Sequence, residues 1–318
     1  MTSSINRLLL ATDFSEWAGR AEDYACSLAC SWRAHLTVIT VLEFPPGLNP
    51  DYPVHQHYLT DRTREAGDQL ADFKQRASRR GIVVATRIAT GIPSEEVNAA
   101  AQADETDLII MGTRGKTGLA HVLLGSTAER VIRTAPCPVL AVHMVKDEAP
   151  VGHGGVSLER ILVPIDFSDC SLEALEYAVM VARQAKASIE LLHVLEPVSY
   201  GLDFTLGHAA DREQKRERLK KSLQNISDAL SAAGITVRNH LRGGLPADSI
   251  LDDARTSGSD LIVMGTHGRR GLSHVMAGSV AEAVLRRTRC PVLTVRSPKF
   301  SSGHHRVVSG PAVQSLNL

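Results

Sequence analysis

The sequence predicts an α/β fold built twice over, as two tandem open parallel five-stranded sheets with helices on both faces. Three observations carry that prediction. First, the chain repeats itself: Asp13 and Asp166, Gly81 and Gly234, Gly91 and Gly244, Gly112 and Gly265, and Cys137 and Cys290 all stand 153 residues apart. Second, short apolar runs alternate with longer stretches of helical period, the pattern of strands joined by crossover helices. Third, each copy carries a glycine loop between a buried strand and a helix start, Gly112 to Thr127 and Gly265 to Val280.

The elements of one copy follow in order. Ile5 to Ala11 and its repeat Ile161 to Ile165 are apolar without alternation, as suits strands covered on both faces. Each runs into Asp-Phe-Ser, at Asp13-Phe14-Ser15 and Asp166-Phe167-Ser168, where the serines are expected to N-cap the next helix. A second strand is expected over Leu36 to Leu42 and over Ile189 to Leu195. A loop from Pro45 to Pro53 then leads to a long charged helix. Its apolar positions, Ala66, Leu70, Phe73 and Ala77, recur as Leu219, Leu223, Ile226 and Leu230 and define one helical face.

Gly81 and Gly234 end this helix as left-handed C′ residues. The third strand is expected over Ile82 to Ile88 and Ile235 to Leu241. Pro93 and Pro246 sit at the start of a third helix, where a missing N–H costs nothing. A fourth strand enters the glycine loop, a helix follows to about Thr134, and Val139 to Val142 closes the copy as a short strand. Domains are therefore expected at 1–146 and 157–297, with a flexible linker over Asp147 to Ser157 and a disordered tail at 298–318.

Composition narrows the function. The chain is 43% apolar with a formal net charge of zero, which gives no global pull toward nucleic acid or an anionic membrane. No apolar run approaches the roughly 20 residues needed to span a bilayer. Met1-Thr2-Ser3-Ser4 lacks the basic and apolar regions of a leader, so a cytoplasmic protein is expected. Five cysteines without a Cys-x-x-Cys pair point to reduced thiols. Cys26 and Cys30, four apart, could share a helix face, but they are better accounted for as small buried side chains.

The loops carry the chemistry. Gly112-Thr113-Arg114-Gly115 and Gly265-Thr266-His267-Gly268 are each followed, nine residues on, by Gly-Ser at Gly125-Ser126 and Gly278-Ser279. Glycines let a backbone approach an anion, and the first N–H groups of the following helix point at it. In a doubly wound sheet, ligands bind beyond the C-terminal strand ends, at the switch of strand order. Asp13, the strand end near Val41 and the Gly112 loop all fall on that edge. Lys116 and Arg269 follow the second glycine, suited either to phosphate or to solvent. The acids are expected as ligand contacts, with helix capping an alternative that is compatible with binding. Neither a P-loop nor a Gly-x-Gly-x-x-Gly fingerprint occurs. No acid–base pair assigns water activation.

This pattern resembles the nucleotide-binding motif of universal stress proteins. The Asp-Phe-Ser after the first strand, His193-Val194 and Pro-Cys-Pro-Val before the fifth strand agree with it. The resemblance implies sheets of strand order 3-2-1-4-5, binding of adenine nucleotide (ATP, with or without Mg2+), dimers through the fifth strand, and stress adaptation. It implies that Asp13 and Asp166, with Thr12 and Ile165 before them, lie near adenosine and the metal–phosphate region. Val41 and Val194 match the position whose backbone recognises adenine. Gly112, Thr113, Arg114, Gly115, Lys116, Gly118, Gly125, Ser126 and Thr127 match the ribose and phosphate loop. Gly265, Thr266, His267, Gly268, Arg269, Gly271, Gly278, Ser279 and Val280 are their repeats. The copies depart where Ala11, Thr40 and Thr127 face Pro164, His193 and Val280, so unequal sites are expected. A binding protein is expected rather than an enzyme, with an unidentified protein partner, a pseudo-dimer within the chain and a homodimer as a further assembly. A nucleotide-free scaffold and a slow ATPase are the alternatives.

Overall fold

The computed structural model describes residues 4–43, 53–115, 124–144, 155–196, 207–267, 278–296 and 307. They form two compact units, one of Ile5–Ser157 joined by Pro291–Thr294, the other built on Leu158–Cys290. Apart from Val307, whose amide donates to Glu176 Oε2 at 3.2 Å, the expected tail, and the linker as far as residue 154, lie outside the described residues. At the linker's end Val156 donates its amide to Ser27 Oγ at 2.6 Å.

The first unit runs β1 (Arg7–Ala11), a 3-10 turn (Glu16–Ala18), α1 (Gly19–Trp32), β2 (His35–Leu42) and α2 (Pro53–Arg79). It continues with β3 (Val84–Thr90), α3 (Pro93–Ala103), β4 (Leu108–Gly112), α4 (Ser126–Thr134) and β5 (Val139–Val142). The second begins with β6 (Arg160–Pro164), α5 (Asp169–Ala185), β7 (Ser188–Leu195) and α6 (Gly207–Ala232). Then come β8 (Val237–Gly243), α7 (Pro246–Ser257), β9 (Leu261–Gly265) and α8 (Ser279–Arg287), and last β10 (Val292–Val295).

β1 pairs in parallel with β2 and β4, β2 with β3, and β4 with β5, which is the order 3-2-1-4-5. In the second unit β6 pairs in parallel with β7 and β9, and β7 with β8. One detail differs from the expectation of two separate sheets. Val292, Leu293 and Thr294 of β10 are counted with the first unit and pair antiparallel with Ala141, Leu140 and Val139. The cause is visible in β5, four apolar residues all buried, whose unpaired edge would otherwise leave backbone groups unsatisfied. Thr294 Oγ1 also donates to the Val139 carbonyl at 3.2 Å.

The long helices bury the predicted stripe. Ala66, Leu70, Phe73 and Ala77 are at most 4% exposed, and Leu219, Leu223, Ile226 and Leu230 at most 1%. Each fully buried Leu, Ile or Phe contributes about 1.5–3 kcal/mol relative to exposure. The third strands begin two residues later than expected because the preceding helices end in Schellman turns. Gly81 N–H bonds the Ser78 carbonyl and Ile82 N–H the Ala77 carbonyl, while Gly234 and Ile235 do the same to Ser231 and Leu230. Gly81 and Gly234 lie at φ +74° and +80°, as their C′ role requires, and the isoleucines are committed to closing the turn.

Candidate functional site

The strand order of the first unit places its switch between β1 and β4, and the predicted residues gather at the C-terminal ends of those strands. Thr12 follows β1 and donates its amide to the Ile39 carbonyl at 3.0 Å; Thr113 follows β4 and donates to the Val142 carbonyl at 3.0 Å. Val41 is half-buried at the end of β2. The Thr113 carbonyl accepts the Gly125 amide at 2.7 Å, pinning the two ends of the glycine loop together. Gly125 N-caps α4 without a side-chain bond, so the cap itself places nothing over the first turn.

The turn after β1 is strained and held. Phe14 lies at φ +55°, a left-handed conformation that costs a non-glycine residue roughly 1–2 kcal/mol. Its amide bonds Thr12 Oγ1 at 3.0 Å, and the Ser15 amide bonds Asp13 Oδ1 at 3.0 Å. Thr12 Oγ1 in turn donates to Glu22 Oε1 at 2.9 Å, while Arg76 reaches Glu22 Oε2 at 3.2 Å. Burial pushes the Glu22 carboxyl above its ordinary range, and the Thr12 bond and the Arg76 charge offset part of that rise. The other carboxylate oxygen of Asp13 faces the loop: a Cβ on Gly115 would lie 2.7 Å from Asp13 Oδ2. Residues a hundred positions apart in sequence are thus in contact at the predicted edge. Arg114 lies over the Trp17 ring with its Cζ 5.0 Å from the centroid.

The second unit repeats the backbone with other side chains. Phe167 lies at φ +63° and the Ser168 amide bonds Asp166 Oδ1 at 3.0 Å. Here Ser168 Oγ also donates to Asp166 Oδ1, at 2.6 Å. Ile165 offers no hydroxyl; instead its carbonyl accepts His193 Nδ1–H at 2.7 Å, and the His193 ring packs 5.0 Å from that of Phe167. The Thr266 carbonyl accepts the Gly278 amide at 2.6 Å, the same loop closure as in the first unit. Thr266 Oγ1 and His267 Nδ1 are 2.9 Å apart.

Ser168 caps α5 through the Ser171 amide, as expected. Ser15 does not cap: its carbonyl takes the Ala18 amide in the 3-10 turn, and its buried Oγ has no partner among the described residues. Thr113 and Thr266 are buried, so their part in the loop is carried by the backbone. Ser126, Thr127, Ser279 and Val280 stand in the first turns of α4 and α8, with Thr127 and Val280 half-buried. Lys116, Gly118, Gly268, Arg269 and Gly271 lie outside the described residues. Glu22 and Arg76 were missed by sequence reasoning. The signal was available in the repeat itself, because their counterparts 153 residues on are Leu175 and Ala229. The two cysteines of α1 divide: Cys26 is buried, its thiol pushed up to about 11 by burial, and Cys30 is exposed.

Comparison with known proteins agrees with this fold. The profile of the Universal stress protein family matches residues 4–143 and again 157–296. The chain belongs to the universal stress protein family. It is 33% identical to a universal stress protein of Methanocaldococcus jannaschii over 142 residues, 44% of this chain and 84% of that protein. A universal stress protein of Bacillus subtilis is 36% identical over 146 residues, 43% of this chain and 98% of the relative. Single-domain relatives thus align with less than half of this chain, as its tandem repeat requires. The crystal structure of a universal stress protein from Archaeoglobus fulgidus superposes with a TM-score of 0.69 at 26% identity, covering 92% of this chain and 97% of the other. Among the described residues no helix is long and apolar enough to cross a membrane.

Proposed function

We propose that this universal stress protein is an adenine-nucleotide-binding regulator with one ATP site at each glycine loop. One observation carries the reading: at the switch between β1 and β4, the Gly115 backbone presses so closely on Asp13 that a Cβ would fill the space, 2.7 Å from Oδ2. The side-chain-free cap of α4 lies at the far end of the same loop, and buried Ser15 Oγ beside Asp13 has no partner among the described residues. Such a cradle fits a phosphorylated ligand, whose charge suits backbone N–H groups at a helix start. Asp13 and Asp166 would hold the ligand's metal side if Mg2+ accompanies it, and the residues at Val41 and Val194 its base. When bound, the nucleotide supplies a charged group; the chain's own residues orient and enclose it.

The function is binding rather than efficient turnover. Asp13 Oδ1 already receives the Ser15 amide, and Asp166 Oδ1 receives two donors from Ser168, so each acid is engaged in shaping its turn. In this reading the occupied loop presents a different surface to a protein partner in the cytoplasm. The outer edge of β5 is taken by β10, so a homodimer would use another surface.

The test is direct. Protein purified without added nucleotide is denatured and the released small molecules are identified by mass spectrometry, and ATP is titrated calorimetrically into the stripped protein. ATP binding by wild type, lost at the first site in Gly115→Val and at both when Gly268→Val is added, is the expected result. Folding of each variant is followed by circular dichroism. Absence of ATP binding at millimolar concentration, or binding unaltered in the folded double variant, overturns the proposal.

A further inference from the structure

The second unit holds a polar cluster that the nucleotide reading does not use. Glu190 of β7, His240 of β8 and Asp253 of α7 bring one donor atom each within 4.8 Å of one another. Glu190 is 4% exposed and Asp253 1%. Glu190 Oε2 is buried without a hydrogen-bond partner among the described residues. His240 Nδ1 lies 3.0 Å from Asp253 Oδ2. The Arg242 Nε approaches Asp253 Oδ1 to 2.8 Å as an ion pair but is not aligned as a hydrogen bond. Arg242 also bonds the more exposed Asp252 at 2.7 Å.

We propose that Glu190, His240 and Asp253 bind one divalent first-row transition-metal ion. A buried carboxylate oxygen facing no donor is unfavourable, because burial removes water without supplying a replacement. Two buried carboxylates here face one guanidinium and one imidazole, which leaves one negative charge uncompensated while the imidazole is neutral. A divalent cation supplies it. The donor set of one nitrogen and two carboxylate oxygens suits Zn2+, Co2+ or Mn2+, whereas Mg2+ and Ca2+ prefer oxygen alone. Ligand atoms each about 2.0–2.2 Å from a shared ion lie at most about 4.4 Å apart, so small side-chain movements suffice to close the site. The ion replaces the His240–Asp253 hydrogen bond and takes the free oxygen of Glu190. Half-buried His240, with a third of its side chain exposed, provides the way in from solvent.

The first repeat is a built-in control. Thr37, Arg87 and Ala100 stand 153 residues before Glu190, His240 and Asp253, and provide neither carboxylate nor imidazole. The inference does not depend on the nucleotide sites, which lie at the strand ends of the loops.

The experiment uses the full chain, stripped with chelator and free of nucleotide. Zn2+ is titrated calorimetrically, and Co2+ is added to record its absorption spectrum. The expected result is one tight Zn2+ per chain, weak d–d bands without thiolate-to-metal charge transfer, and no comparable heat from Mg2+. Loss of a ligand in Glu190→Gln or His240→Gln should weaken Zn2+ by at least about 10–100-fold, the cost seen even for outer-shell partners. If Glu190→Gln fails to fold by circular dichroism, Glu190→Thr, the residue of the first repeat, replaces it; the wild-type Co2+ spectrum needs no variant. No binding by wild type, equal affinity in the folded variants, a thiolate charge-transfer band, or Mg2+ binding as tight as Zn2+ would each overturn the site.

Discussion

The same Asp-Phe-Ser turn is built twice in this chain, with one backbone and two different supports. In the first repeat, left-handed Phe14 is held by a polar relay of Thr12, Glu22 and Arg76. In the second, Phe167 adopts the same conformation beside the His193 ring, Leu175 stands buried where the first repeat has Glu22, and Ser168 bonds the acid through both its amide and its hydroxyl. Polarity has moved rather than vanished. The second repeat buries Glu190 and Asp253, with half-buried Arg242 beside Asp253, where the first has Thr37, Ala100 and Ala89. What is common to both is the part that shapes the ligand edge: an acid that fixes the turn, and a glycine loop closed by a threonine carbonyl. What differs lies behind that edge and is free to alter stability and affinity without altering the fold.

The largest difference expected between the copies is steric. A Cβ on Gly265 would meet Cys170 Sγ at 2.8 Å and its backbone carbonyl at 3.0 Å, whereas one on Gly112 would lie 3.1 Å from the Trp17 carbonyl. Overpacking of this kind typically costs roughly 1–3 kcal/mol. Gly265→Ala is expected near the top of that range and Gly112→Ala near the bottom, measured by urea unfolding. Adding Cys170→Ala to Gly265→Ala should recover part of the loss, since it removes the nearest atom. An equal or larger loss from Gly112→Ala would show that the two loop entrances are not packed as differently as their neighbours imply.

A smaller effect is expected on the ligand. Thr127 and Val280 are equivalent half-buried residues in the first turns of α4 and α8. A hydrogen bond to a charged group is worth roughly 1.5–3 kcal/mol when shielded, and half exposure lowers that toward about 1 kcal/mol, or some fivefold in affinity. With one loop disabled at a time, Thr127→Val should weaken ATP at the first site and Val280→Thr should tighten it at the second. Identical titration curves for Thr127→Val and its parent would remove the hydroxyl from the account of unequal sites.

Reading the sequence alone recovered the elements for definite physical reasons. The stripe at Leu219, Leu223, Ile226 and Leu230, the C′ glycines at Gly81 and Gly234 and the prolines at Pro93 and Pro246 are local signals, each decided by a few neighbouring residues. The misjudged details are non-local. Nothing in Ser15 itself says that its carbonyl will satisfy Ala18 before its hydroxyl can, whereas Ser168, in nearly the same sequence, does cap. The fifth strands differ, since pairing through them was expected and Val292 to Thr294 do pair antiparallel with Ala141 to Val139. Of the candidate site, the contact between Asp13 and Gly115 was legible from strand topology. Glu22 was not read, because a charged residue on an otherwise ordinary helix gives no local sign that it faces inward, and only its apolar counterpart Leu175 marked the position.

Glu22 also supplies the subtlest test of the comparison, because its counterpart Leu175 cannot titrate. Burial raises the Glu22 pKa above its ordinary 4.5, and Thr12 and Arg76 reverse that only in part. The folded protein therefore holds this proton more tightly than the unfolded chain does. Between 4.5 and the raised value the folded state binds more protons, so the contribution of Glu22 to stability is greatest below 4.5 and declines as pH rises through that window. Above the window the decline stops, because both states are then ionised. Glu22→Gln keeps an acceptor for Thr12 and removes the titration. The stability of wild type minus that of Glu22→Gln, taken from unfolding curves between pH 4 and pH 8, should fall with rising pH and then level. A difference that rises over the same range would mean that Arg76 and Thr12 outweigh burial. Glu22 would then be a favourable ion pair supporting the first turn, and the two repeats would differ in electrostatic stabilisation rather than in its cost.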